Sequence, residues 1–296
     1  MKQDLGRENG MLKILIAYDG SPGADIAIDD LQRAGLPREG VSVRVVAVAD
    51  VWMPTSTDLN LMDAQERYSS SPQMEVAAAM RRRSIERATH AVHEAQLLAR
   101  CARERICEQF PEWKVRDYAC ADSPAWGIIR IADEWRPHLT VVGANTRSSL
   151  ENVIFGSVAQ KVVTKADSSV RIGRRRSPCK AWGAPVTLMI GLDGSLDSQA
   201  AINAVAARVW PAGSMVYLVT VLDPRMATEI AEMIPSLQRW VPDQSGAIPE
   251  SEFDWIERMM KAACEQLREA GLLVTSRLVE GDARHKLLEI AREKEA

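Results

Sequence analysis

No stretch of this sequence is apolar for long enough to cross a membrane, and the opening residues, MKQDLGRENGM, are polar and lack the apolar core of a secretory leader. A soluble, cytoplasmic chain is expected. Charge of one sign is also missing: the formal net charge is −3, so nothing in the balance calls for nucleic acid as a partner. Cysteine is scarce, odd in number and unpaired in sequence. Cys101, Cys107, Cys120, Cys179 and Cys264 form no CxxC pair, which excludes a recognisable disulfide framework or zinc motif and predicts reduced structural thiols. The signatures GxxxxGK[ST] and GxSxG are absent, and no His, Cys or carboxylate constellation is placed for nucleophilic or metal chemistry. The chain therefore does not read as an enzyme.

What is present is a succession of βα units. Leu12 to Ala17 is a short apolar strand, closed by the turn Asp19-Gly20-Ser21. Ala24, Ala27, Ile28 and Leu31 then form one helical stripe that ends near Gly35 and Pro37. Val41 to Ala49 is nearly continuously apolar, which suits a parallel strand covered on both faces. Asp50 to Gln73 loses periodicity and predicts a long functional or disordered loop, with Trp52 as a hydrophobic anchor at its base. Met74 to Phe110 is a long helix with a stripe from Ile85 through Ala95 and Ala102 to Ile106, stopped by Pro111. His90 and His93 share a face of it, but without further ligands they read as a solvated pair, as do Arg81, Arg82 and Arg83. Lys114 to Cys120 gives a third strand, and Ser123-Pro124 opens the next helix.

The most informative stretch runs from Leu139 to Ala159, LTVVGANTRSSLENVIFGSVA. Thr140, Val141 and Val142 make a buried strand, Gly143 ends it at a turn, and Gly156-Ser157 opens a helix after a polar loop. Unpaired N–H groups and the positive end of the helix macrodipole then point at one place, a plausible phosphate cradle, and Arg147 reads equally as a phosphate contact or as a solvated side chain. Ser148 and Glu151 have capping-box spacing within that loop. Gly143, Thr146, Gly156 and Ser157 fall at the spacing of the Gly, two residues, Gly, nine residues, Gly-Ser/Thr pattern, and here the chain resembles the universal stress proteins. Thr146 stands where nucleotide-binding members usually have glycine.

That resemblance implies a doubly wound, mostly parallel five-stranded α/β sheet of order 3-2-1-4-5, and the repeated βα units independently require a mostly parallel sheet. It also implies an adenine nucleotide, with Asp19 holding the ribose, the Val48 backbone reading the base, and Gly143, Thr146, Gly156, Ser157 and Val158 around the phosphates. Mg2+ would accompany a triphosphate. Val170-Arg171-Ile172 alternates as an edge strand with one wet face, and the family uses this strand to pair domains or copies.

After the charged, proline-terminated run Arg174-Arg175-Arg176-Ser177-Pro178 the sequence begins again. Leu188 to Ser195 repeats Ile14 to Ser21 at a constant offset, Ala201, Ile202 and Val205 repeat the first helix stripe, and Leu287 to Ala291 echoes Ile128 to Ala132. The expected organisation is a nucleotide-binding domain at 1–173, a linker at 174–184, and a second, partial copy at 185–296 that lacks the phosphate loop and the fourth and fifth strands. Three functions stay open: a nucleotide-binding stress-response module, an interaction or signalling module of the same fold whose loop takes no nucleotide, and, more weakly, a slow ATP hydrolase.

Overall fold

The computed structural model describes residues 10–54, 72–144, 156–173, 183–222 and 252–296. Two compact units emerge, Met1–Leu31 with Pro37–Pro178, and Gln32–Leu36 with Cys179–Ala296. In the first, β1 (Leu12–Ala17) leads through α1 (Pro22–Asp29) to β2 (Val41–Ala49), and the long helix α2 (Pro72–Gln109) follows. Then come β3 (Lys114–Ala121), α3 (Pro124–Trp135), β4 (Leu139–Gly143), α4 (Ser157–Lys165) and β5 (Ser169–Gly173). The five strands are all parallel in the order β3-β2-β1-β4-β5. Chain direction across the sheet reverses between β1 and β4, which opens a crevice beyond their carboxyl ends.

Alternation along β1 divides the core. Leu15 joins Val46, Ile128, Ile129, Trp135 and Val162 beneath α3 and α4. Ile14 and Ile16, fully buried, face the opposite way, toward α1 and the Ala88, Ala95, Ala99, Ala102 and Ile106 stripe of α2. Aliphatic residues this deeply buried contribute about 1.5–3 kcal/mol each, so the two layers hold the sheet.

α1 lies closer to the sheet than ordinary side-chain packing allows. Gly143 and Gly173 are register partners on β4 and β5. A Cβ on Gly143 would stand 2.6 Å from Ala24 N, and one on Gly173 would stand 2.1 Å from Ala27 Cα. Gly23 completes the contact, because a Cβ there would lie 2.1 Å from the Ala144 carbonyl oxygen. Gly143 is thus a strand residue whose bareness makes room for a helix; the expected turn begins after it. The expected wet face of β5 is covered for the same reason: Arg171 reaches Asp30 at the end of α1 with Nε and Nη2 at 3.0 and 2.7 Å from Oδ2. β5 does stand at the sheet edge.

The second unit repeats the pattern over three parallel strands, β6 (Thr187–Gly191), β7 (Met215–Leu222) and β8 (Leu273–Glu280), in that order. Its helices are α5 (Leu196–Ala206), α6 (Glu252–Glu269) and α7 (Ala283–Glu293). Ile190, Leu192, Ile202, Leu218, Met259 and Leu267 form its core. Most of the expected loop from Asp50 to Gln73, the expected loop from Pro224 to Glu250, the linker run and the Ser148–Glu151 capping box lie outside the described residues. No helix among the described residues is long and apolar enough to cross a membrane, and none of their His, Cys, Asp and Glu side chains group as a metal site.

Candidate functional site

The crevice is built by the first β-turn-α connection. Gly20 takes the left-handed conformation, φ +74°, which a residue with a Cβ adopts only under strain. The turn folds Asp19 back so that its Oδ1 accepts the Ser21 N–H at 3.0 Å, while Ser21 Oγ caps α1 by accepting the Ala24 N–H at 3.2 Å. Asp19 is exposed, and among the described residues its Oδ2 has no hydrogen-bond partner.

Val48 stands near the end of β2, which flanks β1 on the side away from β4. Tyr18 N–H donates to the Val46 carbonyl at 2.9 Å, so both backbone groups of Val46 point toward β1. Backbone direction alternates along a parallel strand, and those of Val48 therefore point the same way, two residues beyond the last β1–β2 register pair, Ala17 with Val46. The Val48 side chain instead packs on α3, where a Cβ on Gly127 would come within 2.9 Å of Val48 Cγ1. Its amide and carbonyl are left aimed into the crevice.

On the β4 side, Gly156 is the N-cap of α4 with φ −60° and no side-chain cap bond. Ser157, exposed, and Val158, half-buried, occupy the first turn, so the first amides of α4 are without a side-chain acceptor from the cap. Thr146 and Arg147 lie outside the described residues. Trp52, expected as an anchor, is 67% exposed and anchors nothing in the described core. Cys101 and Cys107 are exposed on α2, which overturns the expectation that all five thiols are structural; Cys264 is buried.

Sequence reasoning missed the ionic network behind the crevice. Tyr18 donates its hydroxyl to Asp25 Oδ1 at 2.9 Å, and Arg105 from α2 joins Asp25 at 3.0 Å to Asp29 at 2.7 Å. Burial, then the hydrogen bond and negative charge of Asp25, push the Tyr18 phenol up to about 12. Asp25 and Asp29 on successive turns of α1 were the available signal.

Asp193 occupies the equivalent turn of the second unit, before Ser195 at the cap of α5. It is more fully engaged than Asp19: its Oδ1 accepts both the Ser195 N–H at 2.9 Å and the Ser195 hydroxyl at 2.6 Å. Burial raises the Asp193 carboxyl, but the bonds from Ser195 outweigh it and hold the group below its ordinary value.

The model of the universal stress protein family matches residues 11–173. The chain belongs to this family. A universal stress protein from Archaeoglobus fulgidus DSM 4304 is similar at 14% identity, over 96% of this chain and 84% of that one, with a TM-score of 0.52. At that identity the likeness is one of fold. A family protein from Arabidopsis thaliana, solved with AMP bound, is 14% identical over 56% of this chain and 93% of its own, at a TM-score of 0.34. No curated protein matches the chain. Within the universal stress protein match fall β1 to β5 and all seven residues expected around a nucleotide.

Proposed function

We propose that the first domain binds ATP or a related adenine nucleotide and serves as a sensor or regulator in a stress response. The observation that carries this is the convergence of Asp19 and the Val48 backbone beyond the carboxyl end of β1, beside the β1/β4 switch point at which open α/β sheets take ligands. A free carboxylate oxygen suits ribose hydroxyls, and an outward amide and carbonyl on one residue suit the donor and acceptor edge of adenine. The first turn of α4, with Gly156, Ser157 and Val158, is offered to the phosphates, and Mg2+ would bridge them. Thr146 completes this proposal from the sequence alone.

One observation favours the alternative, an interaction or signalling module that takes no nucleotide. Gly143 is accounted for by the packing of α1 and needs no phosphate to explain it. Slow hydrolysis is the weaker reading, with no base placed for it. Pairing of domains or copies through Val170 and Ile172 belongs to the same proposal, since β5 lies at the edge.

Isothermal titration with ATP, ADP and AMP tests the reading. Asp19→Ala is expected to weaken the tightest of them by about tenfold, the worth of one charge-assisted hydrogen bond. Unsaturable heats for all three at millimolar ligand would give the field to the interaction module.

A further inference from the structure

Among the elements that both units share, a difference stands out where α2 meets β3 and α6 meets β8. The buried stripe Ala95, Ala99, Ala102 and Ile106 of α2 corresponds at a constant offset to Ile256, Met260, Ala263 and Leu267 of α6. Val45 pairs with Asp117 in one sheet, and its counterpart Leu218 pairs with Ser276 in the other. In the first unit the space between helix and edge strand is filled. Asp117 accepts a hydrogen bond from Gln96 and an ion pair from Arg103 at 3.2 Å. The three equivalent positions in the second unit are Ser276, Glu257 and Cys264, shorter or unable to pair with one another in this way. The plug is gone, and a groove of about 730 Å3 lies between α6 and β8.

Two properties define what fits it. First, β8 ends the sheet order, and its outer rim is a backbone edge. Leu273 and Gly281 donate their N–H groups to Ser214 and Leu222 beside β7, so alternation turns the amides and carbonyls of Val274, Ser276 and Leu278 outward. Ser276 and Leu278 also line the groove, so outward backbone groups and groove-lining side chains belong to the same residues. Second, the helical wall is electrically polar along its length, with Asp254, Glu257 and Arg258 giving a net negative end and Lys261 and Arg268 a positive one. Glu257, Lys261, Cys264 and Arg268 share one face of α6 at steps of four, three and four. α6 runs into β8 through a short turn at Gly271, which places Arg268 near the start of β8 and Glu257 toward its end. Neither Lys261, Arg268 nor Glu257 has an ion-pair partner among the described residues. Met260 and Leu278 supply the apolar middle.

We propose that this groove binds an extended peptide that adds to β8 as a further strand, with alternate residues acidic, apolar and basic facing Lys261 and Arg268, then Met260 and Leu278, then Glu257. Main-chain bonds to the β8 edge supply affinity, and the alternate side chains, about 6.7 Å apart, supply selectivity. The occupant is a segment of another protein carrying both charges. The site is separate from the nucleotide crevice and lies wholly within the second unit.

The probe is acetyl-Thr-Glu-Thr-Leu-Thr-Lys-Thr-amide, labelled and followed by fluorescence anisotropy against the 296-residue chain. Saturable binding is expected, lost when every second amide is N-methylated in one register and kept in the other. Rebuilding the plug with Glu257→Gln, Cys264→Arg and Ser276→Asp should weaken binding at least tenfold. Should that triple variant fail to fold, Lys261→Glu with Arg268→Glu, both on the exposed helix face, should do the same and be rescued by a peptide with Lys in place of Glu. No saturation at millimolar peptide, equal affinity in both variants, or equal affinity of both N-methylated registers would overturn the proposal. So would a dimer in sedimentation velocity that dissociates in the Lys261→Glu, Arg268→Glu chain, because the groove's occupant would then be a second copy.

Discussion

Gly143 has no side chain because the first turn of α1 occupies the place where one would be. Alanine there would put a methyl 2.6 Å from backbone nitrogen, an atom that cannot swing aside. Overpacking of this kind typically costs about 1–3 kcal/mol, so Gly143→Ala should lower the urea midpoint of the first domain with no nucleotide present. A silent substitution would show that α1 is free to shift outward. Tyr18 gives a second prediction, with a definite sign. Its phenol is raised to about 12 by burial and by Asp25, so the folded state favours the protonated form. That contribution is fully present below the ordinary tyrosine value of about 10 and is lost as pH rises through the folded value. Phenolate absorbance should therefore show a late tyrosine step, and Tyr18→Phe should remove it. Asp193 carries the opposite sign: its depressed carboxyl adds stability above the ordinary aspartate range and withdraws it as acid carries the pH through the folded value.

At the scale of elements, α1 is held at both ends. Its start is capped by Ser21 and seated on Gly143, and its end is tied to the sheet edge by Arg171 and Asp30, whose side chains are 24% and 16% exposed. A double-mutant cycle on Arg171→Ala and Asp30→Ala should give a coupling near 1 kcal/mol, above the exposed-pair norm because two guanidinium nitrogens share one oxygen in partial burial. A coupling indistinguishable from zero would show that α1 and β5 are joined by the packing of Ala27 on Gly173 and not by this ion pair. These elements were legible in the sequence to the extent that their patterns are local. The β-branched runs of β1, β2 and β4, the α2 stripe and the repeated Asp-Gly-Ser turn declare themselves within a few residues. The glycine seat was not legible. Gly23, Gly143 and Gly173 meet only in space, and in the sequence Gly143 looks like a turn residue beside a phosphate loop. Arg171 looked solvated for the same reason, its partner being 141 residues away. Asp19 and Val48 could be singled out because both stand at or beside strand ends, but the roles proposed for them come from the family resemblance and not from the local pattern.

For the whole molecule, duplication raises the question of whether both copies do the same work. The two Asp-Gly-Ser turns share a backbone, with Gly20 and Gly194 at φ +74° and +81°, but they differ in how the carboxylate is spent. Asp193 receives two bonds from Ser195 where Asp19 receives one from Ser21. Titration of the full chain is accordingly expected to give at most one nucleotide site, abolished or weakened through Asp19→Ala and untouched by Asp193→Ala. Two equivalent sites would contradict it. The seat of α1 also dictates an order of events during synthesis. The helix leaves the ribosome well before β5, and its bed is not complete until Gly173 has followed, with most of the domain in between. Until then Ala27 lacks the β5 part of its floor, and a contact this distant in sequence closes late. Nascent chains arrested before Gly173 should therefore leave α1 open to protease while chains arrested after it protect the helix, so the last strand of the first domain decides when α1 is safe.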